Sequence, residues 1–210
     1  MIAHPSDSNQ LPNELKPVFQ ELKVLQYLQQ AGFRKRFGFS CAQLLQLVFF
    51  LLFHQKNWFR LLESNKSDSL PGKDAVYRFL NHAGFAWRRF LTMLSVATVQ
   101  KVSALTSVDR DAVFIFDDSM FERNCSKAVE LLARFKDYAT GAYYKGFGML
   151  TMRWSDGHTF LPLDFALLSS RKSAINGLNE HIDKRTHGYK RRQEALQSAP
   201  QSLRPCWIVL

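Results

Sequence analysis

The sequence has few cysteines, a deficit of acidic residues and no long apolar run. Three cysteines stand among 210 residues, and Cys41, Cys125 and Cys206 have neither the spacing of a zinc site nor a number that pairs into disulfides. The longest apolar stretch, residues 44–53, is interrupted by Gln46 and is too short to span a bilayer. The polar N-terminus lacks the apolar core of a signal peptide. These absences argue against a disulfide scaffold and a membrane protein, and we expect a protein of the reducing cytoplasm.

The acidic deficit leaves the chain strongly basic. It has 28 Lys and Arg side chains against 18 Asp and Glu, a formal net charge of +10. Such a surplus favours a polyanionic partner, nucleic acid first and an anionic membrane surface second, although many basic proteins bind neither. The length and an apolar content of 46% allow one large or two small globular domains. Composition therefore indicates a class of partner and leaves the activity open.

Apolar side chains recur every three or four residues through the first hundred positions, which predicts a helical region. The pattern gives four helices, over residues 12–30, 41–54, 73–83 and 85–105. Gly32 is expected to end the first, and Ser40 to cap the second. The cations of this region are typical either of a helical DNA-binding module or of a bundle with a solvated basic face. They are Arg34, Lys35, Arg36, Lys73, Arg78, Arg88 and Arg89.

A second region begins near residue 109 with an unbroken run of apolar residues, 112–116. A run so rich in β-branched and aromatic residues predicts a strand buried on both faces. It ends in Asp117 and Asp118, followed by the hydroxyl of Ser119. A strand that delivers an aspartate at its end can hold a divalent cation on a rigid element, but the same carboxylates can also close a strand and cap a turn. The local pattern leaves both interpretations open.

The region continues with elements of both kinds. Residues 129–138 have helical spacing, and residues 146–154 alternate as a strand does. The Asp-Gly pair within 155–158 predicts a tight hairpin turn, and 159–168 would form the returning strand. Pro162 places that strand at a sheet edge or at a bulge. The chain therefore reads as helices followed by a mixed sheet.

Four segments follow one another in this second region. They read Phe-Asp-Asp-Ser-Met-Phe-Glu-Arg-Asn from residue 116, Val-Glu-Leu-Leu-Ala-Arg from 129, Lys-Gly-Phe-Gly-Met-Leu-Thr from 145 and Trp-Ser-Asp-Gly-His-Thr-Phe-Leu-Pro from 154. Together they resemble the early catalytic region of bacterial insertion-sequence transposases of the DDE class, in the insertion-sequence-4 group. The resemblance is close over residues 113–200 and looser through the helical region.

The resemblance implies an α+β chain with three parts. Residues 1–108 would be a helical, DNA-binding region, 109–200 the N-terminal part of an RNase H-like catalytic domain with an incomplete mixed sheet, and 201–210 an atypical tail. It implies an enzyme that cleaves and transfers DNA strands at transposon ends, with two Mg²⁺ ions held by three carboxylates. Asp118 matches the first of these catalytic carboxylates and is the expected metal ligand. Asp117, on the opposite face of the strand, is the other metal candidate.

The second and third carboxylates that the resemblance requires are not recognisable. No later acidic residue closes an apolar strand, since the candidates lie in a turn, within a strand or in a basic stretch: Asp156, Asp164, Glu180, Asp183 and Glu194. The chain beyond Pro200 completes no recognisable strand pair. We therefore expect a C-terminally truncated copy with negligible cleavage of its own, because one carboxylate cannot hold two Mg²⁺ ions.

Two other functions remain open. One is a non-catalytic DNA-binding protein that occupies transposon ends or inhibits the complete enzyme, as a homo-oligomer or in mixed oligomers. The other is a basic helical scaffold that carries an acidic strand end by chance. Metal-dependent nicking would favour the enzyme, and selective binding without nicking would favour the first of these two.

A basic stretch over residues 171–192 opposes seven cations to Glu180 and Asp183. Charge runs are usually solvated helix faces, but the resemblance favours phosphate contacts along double-stranded DNA. Two earlier cations are added to give the expected DNA-binding residues: Arg123, Lys145, Arg171, Lys172, Lys184, Arg185, Lys190, Arg191 and Arg192. His181 and His187 lack partners at metal-ligand spacing and are not expected to bind a metal.

Overall fold

In the described part of the chain six helices precede the first strand, which confirms the helical N-terminal region. The computed structural model describes residues 15–54, 57–64, 70–107, 109–137 and 139–197. Within them the helices are α1 (Leu15–Glu21), α2 (Val24–Gln30), α3 (Cys41–His54), α4 (Trp58–Ser64), α5 (Lys73–Leu80) and α6 (Trp87–Leu105). The chain divides into one compact unit that ends at Phe85 and a second that begins at Ala86.

The helix expected over residues 12–30 is two helices, because the chain breaks at Lys23. Lys23 adopts a left-handed backbone conformation with φ 50°, and its N–H donates to the Gln20 carbonyl in a tight turn (3.0 Å). A break without glycine or proline leaves the apolar spacing intact, so the pattern gives no sign of it. Gly32, with φ 83°, follows α2 as expected. Residues 12–14 lie outside the described part of the chain.

α3 begins at the N-cap predicted from the sequence. The Ser40 Oγ accepts the Gln43 N–H (3.2 Å), and the Gln43 Oε1 accepts the Ser40 N–H (2.9 Å). This reciprocal pair satisfies N–H groups that the first helical turn leaves without a partner. The helix then buries Leu44 and Leu47 in the core of the first unit.

α5 ends at Leu80 rather than at residue 83, and only part of its apolar surface is buried. Val76 and Phe79 are buried, whereas Tyr77 and Leu80 are 43% and 40% exposed. Residues three apart share a helix face, so Val76 and Phe79 define the inward side. The outward side of α5 therefore carries apolar as well as basic side chains.

The second unit is built on a sheet of four strands, followed by one helix. Among the described residues these are β1 (Val113–Glu122), β2 (Ala133–Lys136), β3 (Tyr143–Ser155), β4 (Phe160–Leu168) and α7 (His187–Glu194). β3 is central, with β1 along one side and β2 and β4 along the other, and every pair is antiparallel. The mixture of helices and sheet confirms the α+β class and is consistent with an RNase H-like domain. The expected mixture of strand directions does not occur among these four strands.

Alternation along β3 sends its side chains into two separate cores. Leu150, Met152 and Trp154 project from one face and contact Val99 and Val102 of α6. The opposite face is covered at one end of the sheet by the segment before β2 and the end of α7. Because α6 packs on the sheet, the compact units separate before α6 and not at residue 108. The functional assignment of the two regions stays a prediction.

β1 is an edge strand with exposed apolar side chains, not the doubly buried strand that we expected. Val113, Phe114, Ile115 and Phe116 are 48%, 50%, 36% and 42% exposed. Among the described strands only β3 pairs with β1, and the two cores centre on β3 and β4. The strand also runs on to Glu122, so both aspartates lie within it. Composition predicted the strand correctly but does not specify which elements cover it.

The helix predicted over residues 129–138 is wrong, because this segment contains β2. Leu131 turns the chain with a left-handed φ of 58°, and Leu131 and Leu132 are buried. β2 then pairs with the start of β3. Pairing with the following strand overrides local helical spacing, which is a weak preference. Tyr138 lies outside the described residues.

The hairpin between β3 and β4 is confirmed. Gly157 has φ 87°, as the tight turn requires. The Asp156 Oδ1 accepts the N–H groups of Thr159 (2.6 Å) and His158 (3.1 Å). In β4 the register shifts by one residue beside Pro162, which is the bulge that the proline predicted.

Candidate functional site

Asp118 lies in the middle of β1 with an open carboxylate. It stands opposite Leu150 of β3, so it projects from the face of the sheet that packs against α6. Its side chain is exposed and makes no hydrogen bond or ion pair with another described residue. Such a carboxylate remains available to a cation.

Asp117 projects from the opposite face and has an internal partner. An Arg153 guanidinium nitrogen lies 3.3 Å from its Oδ2, and the Arg153 Cζ lies 5.1 Å from the centroid of the Phe160 ring. The Thr151 hydroxyl donates to the Asp117 carbonyl (3.3 Å). The strand therefore separates an open carboxylate from a compensated one. This geometry favours Asp118 as the ligand, and both metal roles stay predictions.

The described residues do not make up a two-metal centre on their own. Within the part of the chain that the structure describes, no group of three His, Cys, Asp or Glu side chains is placed to hold a metal ion. Asp156 caps the hairpin, and Asp164 and Glu194 lie in the ionic cluster that follows. Asp118 offers a single ligand position, whereas Mg²⁺ requires nearly octahedral oxygen coordination. The described residues thus supply one fitting ligand and not the rest of such a set.

Arg88, expected among the exposed cations of the helical region, lies in a largely buried ionic cluster. Its Nε lies 2.8 Å from Asp164 Oδ2, and its second guanidinium nitrogen lies 2.5 Å from Glu194 Oε2. The side chains of Arg88, Asp164 and Glu194 are 13%, 4% and 22% exposed. The cluster joins α6, β4 and α7. A guanidinium shared by two carboxylates is not available to a DNA phosphate, which corrects the expectation for Arg88.

Several of the predicted DNA-binding cations gather at one end of the sheet. Arg123 follows β1 directly, and its N–H donates to the carbonyl of Lys145 near the start of β3 (2.7 Å). β4 finishes at the same end, because Leu168 stands opposite Gly148. The Arg123 Cζ lies 4.3 Å from the centroid of the Phe121 ring, which orients the guanidinium. We call this part of the molecule the basic end of the sheet.

Gly146 lets three strands meet at the basic end. It stands opposite Glu122 of β1 on one side and Ala133 of β2 on the other. A Cβ atom at this position would overlap the Phe121 carbonyl oxygen. Any other residue would therefore push β1 away from β3, and with it the neighbouring Lys145 and the chain around Asp118.

The irregular segment after β4 is fastened to β2. The Arg134 N–H donates to the Ser173 carbonyl (3.0 Å), and the Ser173 hydroxyl donates to the Arg134 carbonyl (2.6 Å). Arg134 in turn stands opposite Lys145. These contacts hold Arg171 and Lys172 near the basic end, where both are exposed and make no ion pair with another described residue.

α7 carries three of the predicted DNA contacts, and the structure distinguishes among them. The Arg192 Nε lies 2.7 Å from Glu130 Oε2, and an Arg191 guanidinium nitrogen lies 3.3 Å from Glu194 Oε2. Lys190 is exposed and has no ion pair within the described residues. Two of the three cations are thus already compensated inside the molecule.

The loop before α7 shows the same division. Arg185 pairs with Asp183 at 3.0 Å, and although its side chain is 91% exposed its charge is partly compensated. Lys184 is exposed and makes no ion pair with a described residue. His181 and His187 join no metal-binding group among the described residues. Of the seven predicted cations in this stretch, four are uncompensated, and we call them the open cations: Arg171, Lys172, Lys184 and Lys190.

The chain matches one known protein family over most of its length. A family model described as DDE superfamily endonuclease matches residues 28–207. The chain belongs to this family. No curated protein and no solved structure matches it. Membership supports transposase-type or nuclease-type action on DNA and the use of divalent metal, which is general among DDE superfamily endonucleases.

The cations on α5, in the helical region of this DDE endonuclease, make contacts within that region. The outward cations of α5 are partly engaged, since the Arg78 Nε donates to the Asp74 carbonyl (3.2 Å) and the Lys73 Nζ lies 5.6 Å from the Phe59 ring centroid. A DNA-binding module and a solvated bundle both remain compatible with this surface. No helix in the described residues is long and apolar enough to cross a membrane.

The residues that organise the basic stretch are not recognisable from the sequence. Glu130 binds Arg192 and also accepts the Asn179 N–H (2.6 Å). The Asn176 side-chain amide donates to the carbonyls of Lys127 (2.9 Å) and Val129 (2.7 Å). A glutamate and an asparagine in polar loops carry no local signal, because their roles depend on partners about fifty residues away.

Proposed function

We propose that this DDE endonuclease is a transposase of the insertion-sequence-4 group that acts at transposon ends. In this proposal the open cations, with Arg123 and Lys145, contact the phosphates of double-stranded DNA. Asp118 is one carboxylate of the catalytic set that holds Mg²⁺. Support comes first from the family membership. It comes also from the basic end of the sheet, which lies near Asp118 on β1 and gathers Arg123, Lys145, Arg171 and Lys172.

The observation that carries the proposal is the short separation of Asp118 from the basic end. Asp118 precedes the end of β1 at Glu122 by about four residues, roughly 13 Å along a strand. DNA held by cations at the strand end would therefore pass within reach of an open carboxylate. The open cations make no ion pair with a described carboxylate, so their charges can serve this role.

We propose further that these 210 residues do not cleave DNA by themselves. Cleavage through two Mg²⁺ ions needs several oxygen ligands, and the described residues bring one open carboxylate to the site. DNA binding, in contrast, needs only correctly placed positive charge. The chain alone should bind DNA without nicking it.

Binding and nicking can be tested in parallel. The chain is titrated into a fluorescent duplex that carries the terminal repeats next to its gene, and separately into a scrambled duplex, over a series of salt concentrations. For Lys184→Ala with Lys190→Ala, each lost phosphate contact should lower the slope of log K against log salt by about 0.9. Arg153→Ala is the matched control, because Arg153 is paired and lies towards the opposite end of β3.

Nicking is assayed on supercoiled plasmid with Mg²⁺ or Mn²⁺. The expected result is no nicking by the chain or by Asp118→Asn. Nicking that disappears in Asp118→Asn would show that Asp118 is catalytic and that the chain is active. Equal binding of all variants with unchanged salt slopes would contradict the DNA-binding surface.

A second candidate function, inhibition of transposition in mixed oligomers, is favoured by the exposed edge of β1. A strand with exposed apolar side chains and an edge that no described strand covers is suited to pairing with another chain. Co-expression with a complete transposase of the same group should then lower transposition. Ile115→Lys should relieve that inhibition, whereas an inhibitor that acts only by occupying DNA would be unaffected.

A further inference from the structure

The Glu130 carboxylate binds both ends of the basic segment 179–192 and so closes the segment into a loop. The Glu130 Oε1 accepts the Asn179 N–H (2.6 Å), and the Glu130 Oε2 accepts the Arg192 Nε–H (2.7 Å). The Glu130 side chain is 25% exposed and that of Arg192 33%, so both contacts are partly shielded from water. Hydrogen bonds to a charged group in such a setting are stronger than neutral ones.

Glu130 is itself held in place. The Asn176 side-chain amide binds the carbonyls of Lys127 and Val129 on one side of it, and on the other the Leu131 N–H donates to the Gly177 carbonyl (3.3 Å). Leu131 is buried. The carboxylate therefore extends from a backbone fixed to the core of the sheet unit.

The segment that Glu130 closes contains two of the open cations. Lys184 lies in its irregular part, and Lys190 lies in α7, which begins after the N-cap Thr186. The Thr186 Oγ accepts the Tyr189 N–H (3.3 Å). No side chain within α7 is buried, and the helix is joined to the core by the residues that follow it, Ala195 and Leu196. Core packing therefore holds the end of α7, and the contacts of Glu130 with Arg192 and Asn179 hold the helix and the start of the segment together.

We propose that Glu130 is a positioning residue for DNA binding, which closes residues 179–192 so that Lys184 and Lys190 meet phosphates in a fixed arrangement. The inference rests on the proposed function. Charge and closure predict opposite effects of removing Glu130 on the affinity for DNA. Glu130 is an anion beside a surface that binds an anion, so electrostatics alone predicts that its removal strengthens DNA binding. Closure of the segment predicts the opposite, because an open segment must lose conformational entropy when it binds.

The experiment compares Glu130→Ala, Glu130→Gln and a control, Glu180→Gln. Glu180 lies within the same segment, is exposed, and makes no hydrogen bond or ion pair with another described residue. Both changes of Glu to Gln remove one negative charge near the same cations. We expect Glu180→Gln to bind a DNA duplex as tightly as the unaltered chain or more tightly, and Glu130→Ala to bind roughly tenfold more weakly. Glu130→Gln keeps an acceptor for the Asn179 N–H and should fall between them.

Limited proteolysis tests, in the absence of DNA, whether Glu130 closes the segment. Trypsin cleaves after Lys184 and Arg185, and opening of the segment should make this cleavage several-fold faster in Glu130→Ala but not in Glu180→Gln. Thermal unfolding of each variant separates local opening from loss of the whole fold. If Glu130→Ala does not unfold cooperatively, Glu130→Gln is compared with Glu180→Gln in its place.

The outcomes separate the two proposals. Glu130→Ala that binds DNA as tightly as Glu180→Gln would overturn the positioning role, and so would an unchanged rate of cleavage after Lys184 and Arg185. If the unaltered chain binds no DNA, the proposed function fails, while the cleavage rates still decide whether Glu130 closes the segment.

Discussion

Replacing Arg88 with methionine tests how the second unit is held together. The change leaves the Asp164 carboxylate, 4% exposed, and the Glu194 carboxylate, 22% exposed, without the guanidinium between them. Methionine preserves much of the length and apolar stem of arginine, so the main loss is the charge and its hydrogen bonds. Three elements meet at this cluster, α6, β4 and α7, and all three should loosen.

The expected loss of stability is large for a single substitution. Removal of one partner from a buried ion pair typically costs about 3–5 kcal/mol, because the remaining charge stays buried without compensation. Glu194 keeps a contact with Arg191 at 3.3 Å, and its partial exposure admits water. We therefore expect a value towards the lower end, about 3 kcal/mol, for Arg88→Met.

Urea denaturation followed by circular dichroism measures the effect, with Arg89→Met as the matched control. Arg89 is the next residue on α6 and makes no hydrogen bond or ion pair with another described residue, so its loss should cost less than about 0.5 kcal/mol. Adding Asp164→Asn to Arg88→Met should recover much of the stability, because the charge of this buried side chain is then removed. Equal stability of the two single variants would refute the assignment of Arg88 to a structural cluster.

Three further predictions concern single positions. Ile115→Lys, at the exposed edge of β1, should reduce self-association in sedimentation velocity, whereas Val129→Lys, also at an exposed apolar residue but away from that edge, should not. Asp118→Asn should leave the melting temperature within about 2 °C of the unaltered chain, because no described residue bonds to the carboxylate; a clear fall would point to a structural role. The Thr159 N–H lowers the pKa of Asp156 below its ordinary value of 3.8, so Asp156 stabilises the fold above that pH and the contribution is lost as the pH falls through the folded-state pKa. Asp156→Asn should therefore be less stable at neutral pH and approach the unaltered chain in acid, and a difference that persists in acid would contradict this account.

The sequence by itself determined the elements whose causes are local. Ser40 and Gln43 form the cap that starts α3, and the Asp-Gly pair forms the hairpin turn, because each signal acts within a few residues. The α+β class and the DDE family were also predicted from the sequence, because a series of ordered motifs is recognisable without the structure.

The tertiary structure decided the features whose causes lie outside the segment concerned. β2 replaced a predicted helix because its pairing partners lie in β3, and β1 proved exposed because apolar composition does not name the elements that cover a strand. The same reason separates the cations of the basic stretch. Arg192 is compensated by Glu130 across 62 residues, whereas Lys190, two positions away, stays open. Charge type is written in the sequence, but the availability of a charge to DNA depends on which anion the fold places beside it.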